Sequence, residues 1–125
     1  RRIVPIKSTF DLVRIIGMAV PDFYKRRRIH FATKTFQAIR ITVNDEVSAF
    51  KEAISKAWSV LNQGGRLAVI SFHELEDRIV KRFFKEKKEE GSGWILTKKP
   101  IIPNAAEISS NIRSRSAKLR VGEKI

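Results

Sequence analysis

Apolar residues recur every three or four positions over two long stretches of the chain, and between them lies a short apolar run with no alternation. Phe36, Ile39, Val43, Val47, Phe50, Ile54, Ala57 and Leu61 make one helical stripe. Thr33 or Thr35 is placed to cap its start, and Asn62 with Gly64 to end it. Thr42, Asn44 and Asp45 are poor mid-helix residues, so the pattern predicts one long helix or two nearly collinear ones. Upstream, Phe10, Val13, Ile16 and Val20 share a face behind Ser8, Thr9 and a first-turn Asp11, predicting a helix over residues 8–20 that Pro21 stops. Leu75, Ile79, Val80, Phe83 and Phe84 predict another from about Glu74 to about Glu90, with Glu74, Glu76 and Asp77 at its positive end.

Between these helices, Gly64-Gly65 breaks the periodicity and Leu67, Ala68, Val69 and Ile70 follow without alternation. A strand covered by helices on both faces, as in a parallel sheet, reads this way. Residues 66–72 are therefore expected to be a buried strand. Ser71, Phe72 and His73 arrive where strand turns into helix, the position at which α/β sheets bind ligands. Gly91-Ser92-Gly93 reads as a turn, Trp94 to Lys99 as a strand ended by Pro100, and residues 100–116 as a long loop. Residues 117–125 alternate, predicting a half-exposed strand paired antiparallel with residues 94–99. One strongly buried strand cannot make a doubly wound sheet, and the chain opens on Arg1-Arg2. Both features predict part of a larger domain, whose exposed strand edge would make the isolated chain fold partially or aggregate.

Composition adds one strong signal. At 125 residues and 42% hydrophobic content the chain can build one modest core, with no cysteine for a disulfide or a thiolate metal site. No apolar run approaches the roughly 20 residues that cross a bilayer, and a cytoplasmic location is expected. Net charge is +13, and residues 1–32 and 91–125 hold +11 of it. Basic ends around a balanced middle favour a polyanion, nucleic acid above all; a merely basic surface is the plain alternative.

Candidate chemistry follows the charge. Phe23 and Tyr24 run into Lys25-Arg26-Arg27-Arg28, which suits phosphate contacts and base stacking, or equally a solvated loop anchored by its aromatics. Lys34, Gln37, Arg40 and Asn44 share a second helical face that can meet a substrate or water. His30, beside the arginines, suits phosphate contact as well as chemistry. His73 is the general-base or ligand candidate, with a packed structural histidine as the alternative. No metal-ligand spacing, no Ser-His-acid arrangement and no dinucleotide loop is visible, since Gly64-Gly65 precedes the strand.

Three passages together resemble one family. His30-Phe31-Ala32-Thr33-Lys34-Thr35-Phe36-Gln37-Ala38-Ile39-Arg40-Ile41-Thr42-Val43-Asn44-Asp45-Glu46 resembles the HPATRTFQALRIxVNxE signature of the MraW/RsmH rRNA methyltransferases. Gly64 to Lys81 is similar to that family's GGRLAVISFHSLEDRIVK, and Asn111 to Arg120 to its NPRSRSAKLR. Phe31, Glu74 and Ile112 stand where the family pattern has Pro, Ser and Pro, and each lost proline frees a backbone the family pins.

The resemblance implies an α/β chain: the C-terminal part of a Rossmann-like class I methyltransferase fold, preceded by the end of an α-helical insert. Residues 1–45 would close the insert, 46–125 would belong to the methyltransferase domain, 66–72 would be its fifth strand, and the last two strands a terminal antiparallel pair. It implies methyl transfer from S-adenosyl-L-methionine to the N4 of a cytidine in the decoding region of 16S rRNA, with the small ribosomal subunit as partner. The family's donor-binding motifs precede the insert, so the chain would lack that site and be inactive alone. On this resemblance Arg28, His30, Lys34, Gln37, Arg40, Asn44, Ser71, Phe72, Arg113, Arg115 and Ser116 become an RNA surface. Phe72 would stack on a flipped base, and His73 or a neighbouring carbonyl would accept the amine proton. A basic RNA-binding module without chemistry is the competing reading.

Overall fold

The computed structural model describes residues 5–125, so Arg1-Arg2 lie outside the described residues. The chain divides into two compact units, residues 1–46 and 47–125.

The first unit is helical. Helix α1, Thr9–Ala19, begins where Ser8 Oγ accepts the Asp11 amide (3.2 Å) and donates to Asp11 Oδ2 (2.9 Å). This reciprocal pair satisfies an amide that has no partner within the helix. It also holds the Asp11 carboxyl below its ordinary range, helped by the Lys7 amide. Where a loop was expected, Asp22–Lys25 form a one-turn helix, α2, started by Pro21 at φ −64° and braced by a Lys25 to Asp22 ion pair of 2.8 Å. Helix α3, Thr33–Val43, is capped by neither expected threonine: Ala32 occupies the cap position without a side-chain bond.

The long apolar stripe breaks at Asp45, whose φ of +48° lies in the left-handed region that Asp tolerates better than most residues. Helix α4, Glu46–Ser59, follows. The two halves of the stripe differ. Ile54 is buried in α4, whereas Ile39 and Val43 of α3 stay exposed, Val43 at 77%. Trp58, which falls outside the stripe, is buried.

In the second unit, strand β1 (Arg66–Ser71) leads into helix α5 (Glu74–Glu89), then come strand β2 (Gly93–Ile95), helix α6 (Ala105–Ser110), a 3-10 helix (Ile112–Ser116) and strand β3 (Lys118–Lys124). The sheet is antiparallel in the order β1-β3-β2, with β1 pairing from Arg66 opposite Glu123 to Ser71 opposite Lys118. The expected pairing of the last strand with the segment after Gly93 is present, but β3 is central and β2 only three residues long. Beyond it the Leu96 and Thr97 amides both donate to the Val121 carbonyl, and Thr97 Oγ1 accepts the Val121 amide at 2.8 Å.

Burial on β1 alternates, contrary to the expectation of a strand covered on both faces. Leu67 and Val69 pack on the core, while Ala68 is exposed and Ile70 is 55% exposed. The helix α5 packs on one face of the sheet, and the β1 side chains Ala68 and Ile70 on the other face are exposed. The expected loop over residues 100–116 is instead mostly helical. Asn104 Oδ1 accepts the Glu107 amide (2.8 Å) and Asn111 Oδ1 the Arg113 amide (3.2 Å), so both asparagines act as caps.

Ile54, Trp58, Val80 and Phe84 form the core, with Phe50, Leu67, Val69 and Phe83 against it. Trp58 meets Phe83 edge-on at 5.7 Å between centroids. Gly93 lies under the Trp58 ring and Gly122 under the Phe84 ring; a Cβ added there would stand 2.7 and 2.6 Å from ring carbons. Lys124 Nζ donates to the carbonyls of Trp58 (3.1 Å), Ser59 (3.2 Å) and Leu61 (2.7 Å), closing the negative end of α4. No described helix is long and apolar enough to cross a membrane.

Candidate nucleic-acid interface

Two groups of candidate residues emerge, one in each unit. In the first, Tyr24, Arg27, Arg28, Ile29, His30 and Lys34 line a cavity of ≈ 260 Å³. The Arg27 guanidinium lies 4.7 Å from the Tyr24 ring centroid and 5.9 Å from that of Phe23. Such contact leaves the planar donor fork free to meet phosphate. His30 stacks on Phe31 at 4.3 Å, and its Nδ1 accepts the Ala32 amide at 3.3 Å. A proline at position 31, as in the family pattern, could supply neither the aromatic ring for that stack nor the ring contact at Gly17, whose added Cβ would stand 3.4 Å from Phe31. Arg28, His30 and Lys34 are exposed.

The rest of the α3 face is divided. Arg40 makes a two-pronged pair with Glu46 (Nε to Oε1 2.8 Å, Nη2 to Oε2 3.1 Å), and Asn44 Nδ2 donates to Glu46 Oε1 at 3.2 Å. These two side chains brace the break at Asp45. Gln37 is half-buried.

In the second unit the antiparallel register sets the carboxyl end of β1 beside the amino end of β3, because Ser71 pairs with Lys118. The 3-10 helix feeds into β3 at that point, which places Arg115 and Ser116 near Phe72 along the chain path. Arg113, Arg115 and Ser116 are exposed, and Phe72 is 55% exposed, available for stacking. Ser71 is buried, and its Oγ donates to the Lys118 carbonyl at 3.4 Å. Its hydroxyl is engaged within the sheet.

His73 caps α5. Its Nδ1 accepts the Glu76 amide at 3.2 Å, while Glu76 Oε2 accepts the amides of Phe72 (2.8 Å) and His73 (3.2 Å), a capping box built on imidazole. The other ring nitrogen is buried, 3.1 Å from Glu76 Oε1, without a hydrogen-bond geometry. With its Nδ1 lone pair engaged, neutral His73 carries its proton on Nε2. His73→Ala is expected to lose about 1 kcal/mol of stability in urea denaturation, and His73→Asn, a good cap, to lose little. Equal losses in the two variants would contradict the capping role.

Two residues that sequence reasoning passed over hold this end of the unit together. Arg120 donates Nε to Asp77 Oδ1 at 2.7 Å and Nη2 to Oδ2 at 3.1 Å, both side chains nearly buried, with Lys118 Nζ at 3.8 Å. The Arg120 hydrogen bonds hold the Asp77 carboxyl below its ordinary range, against the cost of burial. The pair ties the first turn of α5 to the central strand.

The residues that carry this arrangement also place the chain. The model of the MraW methylase family matches residues 1–125. The chain belongs to the MraW methylase family. Among relatives of this MraW chain, the Ribosomal RNA small subunit methyltransferase H of Persephonella marina is 52% identical over 120 residues, covering 96% of the chain and 41% of the relative. The protein of the same name from Kosmotoga olearia is 49% identical over 122 residues, covering 97% and 41%. That of Coprothermobacter proteolyticus is 49% identical over 124 residues, covering 99% and 40%. The chain therefore spans about two fifths of the length of the curated relatives it matches.

The methyl donor that the resemblance implies does not fit the end of β1 in this MraW chain. Binding a nucleoside at a strand end needs free backbone donors and an acidic ribose partner. Here the Phe72, His73 and Glu76 amides are all consumed within the capping box, and Asp77 is held by Arg120.

Proposed function

We propose that the chain is the C-terminal, RNA-facing portion of an rRNA methyltransferase acting on 16S rRNA of the small ribosomal subunit, at the N4 of a cytidine. The observation that carries this reading is identity of about 50% over 96–99% of the chain with proteins named Ribosomal RNA small subunit methyltransferase H. S-adenosyl-L-methionine would be held by a segment outside the chain. The free edge of β1, the outer strand in the order β1-β3-β2, is where further strands of a Rossmann-like sheet would pair, and its bare face, with Ala68 and Ile70, is where a helix would pack. Residues 1–45 would close the helical insert.

Within this reading the side chains divide by what each is free to do. Arg28, His30 and Lys34, with Arg113, Arg115 and Ser116, contact phosphates and sugars of the RNA. Phe72 offers its exposed ring to an extruded base. Gln37, half-buried, orients rather than grips. Arg40 and Asn44 act through Glu46, and Ser71 through the sheet. His73 positions Phe72 by capping α5, because taking up a proton at Nδ1 would break the cap.

The test is a graft in which this chain replaces the corresponding C-terminal two fifths of the Persephonella marina relative. The graft is expected to transfer radioactive methyl from S-adenosyl-L-methionine to 16S rRNA, and the chain alone to transfer none. A graft that folds and binds the donor but leaves 16S rRNA unlabelled would overturn the reading.

A further inference from the structure

A groove of ≈ 400 Å³ runs between α5 and β2 in the second unit, and none of the residues assigned above to the RNA surface lines it. Its walls carry Trp94, 57% exposed, and four lysines: Lys81, Lys85 and Lys88 from α5, and Lys98 from the segment after β2. The α5 lysines follow each other by four and three residues, a rise of about 6 and then 4.5 Å along one helix face. No Asp or Glu lines the groove. Lys85 reaches Glu89 at 3.4 Å on an exposed flank; Lys81, Lys88 and Lys98 make no ion pair among the described residues. Of the other acids at this helix, Asp77 is held by Arg120, Glu76 by the capping box and Glu90, just past the helix end, by Lys87 at 2.7 Å, while Glu74 and Glu86 lie off the groove wall. Unneutralised like charges along one helix face repel each other, and they are relieved by an anion lying along the groove.

The ring and the charges select the anion. A row of cations beside an exposed aromatic face is the recognition set for single-stranded nucleic acid, which offers phosphates to the lysines and a base to the ring. An acidic peptide would use the lysines but leave the ring face unpaired, whereas a single strand engages both with its phosphates and a base. We propose that this groove binds a single-stranded segment of RNA, one base stacked on Trp94 and the flanking phosphates on Lys81, Lys85, Lys88 and Lys98. The proposal rests on the reading of rRNA as substrate. It adds a point of attachment within the second unit, separate from Phe72, Arg113 and Arg115, that would hold a further stretch of the RNA.

Tryptophan fluorescence reads this directly. Trp58 is buried beneath the sheet, so stacking quenches Trp94 alone. Titrating the 125-residue chain with a 12-nucleotide uridine RNA at low salt is expected to quench its emission. Trp94→Ala should weaken binding about tenfold. The double variant Lys88→Ala/Lys98→Ala should lower the slope of log affinity against log salt by about 1.4. Both sites are exposed, and the lysine variant carries the test if Trp94→Ala misfolds. Binding without quenching, with wild-type affinity and salt slope in both variants, would overturn the groove while leaving the rRNA reading intact. No RNA binding by the wild-type chain would overturn both. Quenching by phosphatidylserine vesicles but not by RNA would overturn the choice of partner.

Discussion

Gly122→Ala is expected to lower the free energy of unfolding by about 3 kcal/mol. Gly122 sits in the middle of the central strand with ordinary backbone angles, so nothing in its own conformation demands glycine. The demand comes from Phe84, a core side chain of α5 whose ring lies flat over the strand: an added Cβ would stand 2.6 Å from one ring carbon and 2.7 Å from another. Phe84 cannot swing away, because Trp58 and Phe83 hold it at centroid distances of 6.1 and 5.8 Å. A close-packed interior has no slack for that methyl group. The cost should show as a lower urea midpoint with an unchanged slope, and Phe84→Leu in the Gly122→Ala background should recover part of it, since a smaller side chain makes room. A midpoint unmoved by Gly122→Ala would mean that helix and sheet are not held in this register.

The second large effect concerns the buried ion pair. Asp77→Ala leaves the Arg120 guanidinium nearly buried without a counter-charge, and should cost about 3–4 kcal/mol. Asp77→Leu combined with Arg120→Met should recover much of that loss, because replacing both charges removes the burial penalty along with the attraction. The pair also predicts acid sensitivity. The Arg120 hydrogen bonds depress the Asp77 carboxyl in the folded chain below its unfolded value of about 3.9, so the native state binds a proton less readily. Its contribution is complete above the unfolded value and is lost as pH falls through the lower folded value. Wild-type stability should fall more steeply below about pH 4 than that of the double variant. Parallel acid limbs in the two proteins would show that the pair contributes no pH-dependent stability.

What could be read from the sequence, and what could not, divides along physical lines. Local signals sufficed for the existence of the longer helices: Ser8 and Asp11 start α1, the acidic turn of Glu74, Glu76 and Asp77 starts α5, and the unfavourable Asn44-Asp45 pair marks the break between α3 and α4. Signals with two meanings misled. Asn104 and Asn111 read as loop residues and serve as caps, because the same short amide side chain serves both purposes. The apolar run of β1 reads as doubly covered, yet burial alternates along it, because burial depends on which elements pack on each face and the run itself does not encode that. Long-range pairings left no local trace. Asp77 reads as one more helix-start acid and Arg120 as one more strand cation, and only the fold brings them to 2.7 Å. For the candidate site, charge and motif found the exposed cations Arg28, Lys34, Arg113 and Arg115, but not which polar residues are already occupied. Ser71, Arg40, Asn44 and His73 are each held by hydrogen bonds within their own unit.

The most direct test of the whole account is nucleoside analysis by mass spectrometry of 16S rRNA treated with the graft and S-adenosyl-L-methionine. The account predicts N4-methylcytidine at one position in the decoding region, absent when the chain alone is supplied. Methylation at carbon 5 of cytidine, or on another base, would contradict it.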